Sequence, residues 1–219
     1  MTILPQKNFL LRYLRKLARY IMTAVEKIVQ VRGGVMLAMP VTTPKALDGL
    51  ADLRRVEDIG QVKDTWNLQR ELVIKRLRQG HVLHGIVDHG DLCGYCWVSR
   101  AGSSNDVFFG KLFNVPEAAV YIWDCATFPK YRNRGYYRYA LKGILSSESG
   151  INSAYVAVDR FNYISRRALE SVGFRECFRY WGVRFLQRHA FCVALWDKRL
   201  LMLQRALTKL THVPLTTMH

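Results

Sequence analysis

The chain has 219 residues, half of them hydrophobic, and a formal net charge of +16 at pH 7. That length and apolar fraction exclude a disordered or low-complexity protein and allow one sizeable core, with a single domain plus extensions as the default. The basic surplus says nothing about fold, but it favours acidic partners: nucleic acid, anionic lipid, phosphorylated cofactors or an acidic carrier protein.

Residues 1–32 carry Lys7, Arg12, Arg15, Lys16, Arg19, Lys27 and Arg32 against Glu26 alone. Over 8–31, Leu10, Leu14, Leu17, Ile21, Val25 and Ile28 recur at three- and four-residue steps. This spacing predicts an amphipathic helix, stopped by Gly33-Gly34. Two roles stay open for it. Its apolar stripe docks on the domain or on a second subunit, or it lies in an anionic membrane surface with its basic side chains at the headgroups. The cations interrupt any apolar run of secretory length, and no stretch approaches the ~18 apolar residues of a membrane span. A cytoplasmic protein is expected, peripheral at the membrane if residues 1–32 attach it.

Residues 35–50, with Pro40, Pro44 and several threonines, read as a linker holding at most a short strand. The domain proper is expected over 51–196, and 197–219 as a C-terminal helix and tail. Asp52–Val56 suits a strand, while Glu57–Trp66 and Leu68–Gln79 suit helices, the second ended by Gly80. His81–Val87 and Leu92–Ser99 alternate like strands joined by the turn Asp88-His89-Gly90-Asp91. Residues 101–117 read as a polar, glycine-containing, mobile loop. Ala118–Thr127 follows as a strand, Tyr136–Ser147 as a helix, Ala154–Val158 as a strand and Asn162–Val172 as a helix. Phe174–Phe185 and His189–Trp196 read as strands, and Leu200–Leu210 as a helix with Arg199, Arg205 and Lys209 on its basic side. This order predicts a mixed sheet with helices on its faces, an α/β or α+β layer architecture.

The five cysteines, Cys93, Cys96, Cys125, Cys177 and Cys192, sit in strand-like settings and are odd in number, which points to buried, reduced thiols. Cys93 and Cys96 lie on opposite faces of their strand, and no second pair stands at zinc spacing, so no metal site is expected.

The segment Pro129-Lys130-Tyr131-Arg132-Asn133-Arg134-Gly135-Tyr136-Tyr137-Arg138 joins a strand to a helix through a turn rich in arginine. Such a turn leaves backbone N–H groups unpaired at the positive end of the helix dipole, a ready anion site. A diphosphate is its natural guest, which implies a nucleotide-like cofactor.

Arg132-Asn133-Arg134-Gly135-Tyr136-Tyr137, after Phe128-Pro129, matches a Q/R-x-x-G-x-G/A loop. Asn162, Ser165, Ala168 and Gly173-Phe174 follow at the spacing of an N-x-x-(S/A)…G-F signature, and Leu53–Ile59 looks like a first strand entering a first helix. With these motifs, residues 51–196 resemble the GNAT superfamily of acyl-CoA N-acyltransferases. The resemblance implies an α/β (α+β) fold with a mixed, mostly antiparallel central sheet, splayed middle strands and helices on both faces, here with the N-terminal amphipathic helix added. It implies acetyl-CoA or another acyl-CoA as donor and a small-molecule, sugar or peptide amine as acceptor, acylated by direct attack. The pantetheine arm would run along Cys125, Ala126 and Thr127. The diphosphate would sit on the amides of Arg132, Asn133, Arg134, Gly135, Tyr136 and Tyr137. Asn162 and Ser165 would hold the cofactor arm or a nearby water, although Asn162 also suits a helix N-cap and Gly173 a helix stop.

The sequence departs from the family's pattern in places. Tyr137 replaces the last loop glycine, and Leu169 stands where many members carry the tyrosine that protonates the leaving thiolate. Tyr163, Tyr137 and Cys125 are the nearby substitutes. Tyr121 occupies the position of a catalytic glutamate and is a poor base. Asp124, on the same strand and the opposite face, is a candidate base whose pKa desolvation would raise. His84 is the hairpin histidine best suited to a cleft, ahead of His81 and His89. Further readings stay open: a membrane-associated enzyme acting on a cell-envelope sugar or lipid precursor, or drawing on an acyl carrier protein; a non-catalytic CoA-binding relative; an RNA-directed acyltransferase, though no nucleic-acid motif is present. A homodimer is also open.

Overall fold

β1 (Val29–Pro40) is a long strand of sequence VQVRGGVMLAMP in the middle of the sheet. In the computed structural model, which describes residues 11–17, 28–41, 49–56, 58, 60, 62, 68–186 and 188–212, the helical state at Ile28 passes directly into this strand. This corrects two expectations, the helix running to residue 31 and the linker over 35–50. The paired glycines that read as a helix stop are strand positions crossed by aromatic rings. A Cβ on Gly33 would come 2.9 Å from the Trp181 ring, and one on Gly34 would collide with the Tyr180 phenol. The run Val35–Ala38 is apolar on both sides because both faces of this central strand are buried. The expected helix over 8–31 is described only at 11–17, which are helical and exposed, and at Ile28.

The elements follow as β2 (Asp52–Val56), α1 (Arg70–Arg78), β3 (Val82–Asp88), β4 (Asp91–Arg100), β5 (Ser104–Phe108), β6 (Lys111–Asn114) and β7 (Ala119–Thr127). A 3-10 turn at Pro129–Tyr131 leads to α2 (Tyr136–Ser147), β8 (Ser153–Asp159), α3 (Tyr163–Val172), β9 (Arg175–Phe185), β10 (His189–Trp196), β11 (Arg199–Met202) and α4 (Leu203–His212). The large sheet has the order β11-β10-β9-β1-β8-β7-β4-β3-β2. All its ladders are antiparallel except β7 with β8. That parallel ladder joins Ala119–Ile122 to Ser153–Val156 and stops, so beyond it the two middle strands part. The β3–β4 hairpin turns on His89 and Gly90, both at positive φ (48° and 88°), the conformation of a two-residue primed turn. The expected helix over 57–66 falls largely outside the described residues.

Cores form on both faces of the sheet. One packs Leu141, Ile144 and Leu169 of α2 and α3 on Val35, Val120 and Val156. The other packs Leu203, Leu207 and Leu210 of α4 on Met36, Tyr155 and Phe178. α1 covers a third cluster through Val73, with Leu83 and Trp97. The C-terminal helix is therefore part of the domain rather than an appendage after residue 196. The 101–117 segment is likewise no open loop. It forms the β5–β6 hairpin, its Phe113 wholly buried edge-on to Tyr121 and Tyr155, and Gln204 of α4 bonds both Leu112 N and Leu112 O (3.1 and 2.9 Å). Its apolar residues, Val107-Phe108-Phe109, Leu112-Phe113 and Val115, come in clumps broken by Gly110 rather than in alternation, so no strand period announces the hairpin. Among the described residues, no helix is long and apolar enough to cross a membrane.

Candidate active site

The site begins at an irregularity in β7. Its ladder with β4 runs from Val120 to Trp123, then resumes at Ala126 opposite Tyr95 after a register shift. Asp124 and Cys125 fall inside this bulge, with Asp124 at φ 41°, a left-handed conformation that Asp tolerates better than most residues. Pro129 then opens the 3-10 turn. Asn133 (φ 63°) and Gly135 (φ 83°) bend the chain into α2, with Gly135 in the N-cap position. Tyrosines hold this bend in place. Tyr131 donates to Asp91 (2.8 Å) and Tyr136 to Asp88 (2.6 Å), both at the β3–β4 turn. The Asp88 acceptor, together with burial, pushes the Tyr136 phenol up to about 12. Among the described residues the α2 ladder starts with Tyr139 N–H donating to Gly135 O (3.0 Å). The N–H groups of Tyr136, Tyr137 and Arg138 therefore lack an intrahelical acceptor and face outward at the positive end of the helix.

A cleft of about 730 Å³ opens above these amides, within the usual size for a small-molecule site. Cys125, Ala126 and Thr127 line one wall, Arg132, Asn133, Gly135, Tyr136 and Tyr137 the floor, and Asn162 and Ser165 the wall opposite. Asn162 also caps α3, its Oδ1 accepting from Ser165 N (3.1 Å). Arg132, Arg138 and Arg167 face the cleft and no acid lines it, so the site is cationic on both walls. Tyr137 does not close the bend. Its half-buried ring packs on the core beside Cys125, and burial, with Cys125 and Cys96 as neighbours, drives its phenol well above 10.0. It stays a neutral O–H donor at physiological pH.

Several expected site residues lie elsewhere. Arg134 is absent from the cleft wall; its guanidinium sits 5.9 Å from the Tyr131 ring centroid. Tyr121 is buried in the core on the other sheet face, against Phe113, and burial raises its phenol far beyond any basic role. Asp124 accepts from Arg76 at 2.5 Å, and that guanidinium stacks between Trp97 and Trp123, so the carboxylate is partly exposed and ion-paired rather than desolvated. Leu169 is wholly buried in the core. Tyr131 and Arg138 of the 129–138 loop and Ala168 of the helix motif complete the lining together with Ile164, Arg167 and Ser171, which were not singled out from the sequence. The α3 members follow the i, i+3, i+4, i+7 spacing of one helix face, a signal that was legible.

His84 is at the other end of the fold. It is buried beside Glu148, which ends α2, roughly 20 Å along the helix from Gly135 at 1.5 Å per residue. Its Nε2 lies 3.5 Å from Glu148 Oε1, a charge contact rather than a formed hydrogen bond, while Arg100 grips the same carboxylate at 2.9 and 3.2 Å. Burial is the largest influence on Glu148 and pushes it upward, but His84 and Arg100 together outweigh it, and the net shift is down from 4.5. A depressed carboxylate stabilises the fold at pH above its unfolded value and loses that contribution as pH falls through its folded value. Glu148→Gln is therefore expected to cost about 1–3 kcal/mol at pH 7. In urea melts the gap to the parent protein closes as pH drops below 4.5; a gap that stays constant in acid would show that the charge of Glu148 is immaterial.

Among the described residues no cluster of His, Cys, Asp or Glu could hold a metal ion.

Fold and cleft together define a protein with an amide-floored, cationic cleft beside two parted strands. The chain belongs to the acetyltransferase (GNAT) family, whose model matches residues 48–174. Among solved structures it is similar to a GCN5-related N-acetyltransferase from Sphaerobacter thermophilus, at 12% identity and TM-score 0.49 over 77% of this chain and 56% of that one. It is also similar to a putative GNAT-family acetyltransferase from Novosphingobium aromaticivorans, at 15% identity and TM-score 0.48 over 71% of this chain and 64% of that one. The chain thus spans less than two thirds of the length of these relatives. No curated protein matches it in sequence.

Proposed function

We propose that the protein is an N-acyltransferase that takes an acetyl or other acyl group from acyl-CoA and delivers it to an amine. One observation carries this reading: outward amides at the α2 N-terminus share a cleft with Arg132, Arg138 and Arg167 and with no acid. Oriented N–H donors and bidentate guanidinium groups suit a diphosphate and need no reorganisation to receive it. Beyond the end of the parallel ladder, the β8-facing edge of Cys125–Thr127 offers its backbone to the pantetheine arm, which would bring the thioester to the bulge. CoA, when bound, supplies the activated acyl group. The amine nitrogen would form the new bond to the acyl carbon and give up its proton to water in the cleft. The carbon–sulfur bond would break with the Tyr137 hydroxyl donating a hydrogen bond to the departing thiolate, the role left open by Leu169, and solvent would supply the thiol proton.

The test is a thermal-shift titration with acetyl-CoA and with CoA, followed by turnover against a panel of small-molecule, aminosugar and peptide amines. Stabilisation by both nucleotides and release of free thiol with at least one amine are expected. Absence of any shift at millimolar CoA would defeat the reading, and binding without turnover on any amine would reduce the protein to a CoA-binding relative.

A further inference from the structure

Beyond α3 the sheet carries an apolar face that no other element covers among the described residues. Three rows cross it in register. Val31, Val183 and Phe191 lie side by side on β1, β9 and β10. Trp181, Val193 and Met202 form the next row on β9, β10 and β11, and Arg179, Leu195 and Leu200 the third. Val31 and Phe191, on the inner strands β1 and β10, are 69% and 61% exposed, values foreign to apolar side chains inside a nine-stranded sheet, and Leu200 on the edge strand β11 is 68% exposed. The opposite side of the same strands is filled by α4 and the β5–β6 hairpin, so the exposure belongs to one face only. Phe161 and Ile164, at the start of α3 and also exposed, extend the patch toward the cofactor cleft, which Ile164 lines.

Cations surround it. Arg160 lies against Gly33 and Phe161, Arg188 is in the β9–β10 turn, and Lys198 is in the β10–β11 turn. Of the nearby acids, Glu176 is engaged by Arg166 and Arg179, while Asp159 and Asp197 remain at the rim. The chain enters β1 from a segment of the same character: the helical residues 11–17 expose Leu11, Leu14 and Leu17 among Arg12, Arg15 and Lys16.

We propose that this sheet face, together with the basic helical segment before β1, docks on an anionic phospholipid bilayer, with the Phe191–Leu200 patch in the acyl boundary and the cations at the headgroups. Charge decides between occupants. A second copy would bring another +16 against the same rim, whereas an anionic surface neutralises it. Docking there would orient the cofactor cleft toward the membrane and favour acceptors whose amine is held at a lipid surface. Vesicle binding is measured without turnover, so this inference stands or falls separately from the acyl-transfer reading.

The experiment is co-sedimentation of the full chain with vesicles of phosphatidylglycerol and phosphatidylcholine, with pure phosphatidylcholine vesicles, and at high salt. Binding to the anionic vesicles alone, weakened by salt, is expected. The double variant Phe191→Glu/Leu200→Glu, both at exposed positions, should keep the parental melting temperature and lose at least about tenfold in partitioning, because it removes two apolar insertions and adds two repelled charges. Equal partitioning of parent and double variant would overturn the proposal, since charge alone would then do the binding. So would a failure to bind anionic vesicles, or a dimer by light scattering that the double variant converts to monomer.

Discussion

Gly135→Glu is expected to abolish stabilisation by CoA while leaving a folded protein. Gly135 sits at φ 83° in the N-cap position of α2. Space is not the constraint, because a Cβ there would meet nothing nearer than the Arg138 guanidinium at 3.8 Å. Conformation and charge are. A non-glycine residue at this φ costs about 1 kcal/mol of backbone strain, which lowers the melting temperature of the free protein modestly. The carboxylate acts differently. It stands at the mouth of the unpaired amides, where a diphosphate would carry two negative charges. Each such pair at about 5 Å repels by roughly 3 kcal/mol at an effective dielectric of 20. Even one such pair weakens binding by more than about a hundredfold. Gly135→Asn separates the two effects. Asparagine tolerates the left-handed region and brings no charge, so this variant should retain a CoA shift close to the parent's. Thermal-shift titrations of the three proteins decide the matter. A Gly135→Glu protein that still responds to CoA like the parent would mean that the ligand does not lie on these amides.

How far the sequence disclosed this arrangement depended on the scale of each signal. The loop at 129–138 was legible because three local signals coincide there: the end of an apolar strand, a glycine between arginines, and a helix whose stripe begins at Tyr136. Gly90 between two alternating runs likewise announced its hairpin. β1 was not legible as a strand, because its glycines are explained only by Trp181 and Tyr180, which come from residues far along the chain. A local reading takes Gly-Gly as punctuation; the fold uses it as clearance for two rings. The same limit misplaced His84. Alternation put it correctly inside, but only the sheet order shows that this end of β3 meets the last turn of α2 and not the first. Strict alternation sets Tyr121 and Asp124 on opposite faces, yet the bulge after Trp123 turns Asp124 to Arg76 over Trp97 and Trp123, on the side of Tyr121, and no single-strand pattern encodes a bulge.

Tyr137→Phe is expected to lower kcat by roughly a hundredfold, at the lower end of what general acid catalysis supplies, with little change in CoA affinity. The ring contributes packing against the core and the hydroxyl contributes the hydrogen bond to sulfur, so phenylalanine keeps the first and removes the second. Tyr137 is suited to the task because burial keeps it protonated well beyond neutral pH and because it shares the cleft with Cys125, at the end of the strand where a thioester would rest. A phenol this weak does not ionise ahead of time. Its O–H donates to the negative charge that develops on sulfur as the carbon–sulfur bond breaks, and solvent restores any proton it gives up. The size of the defect should therefore follow the basicity of the leaving group. With an acetyl thioester of a more acidic thiol, departure needs less help, and parent and variant rates should draw together. A merely structural tyrosine predicts the opposite pattern: an equal loss with both donors, accompanied by weaker CoA binding. Parallel kcat and Kd measurements on the two donors distinguish these outcomes, and an undiminished kcat in Tyr137→Phe would transfer stabilisation of the thiolate to solvent.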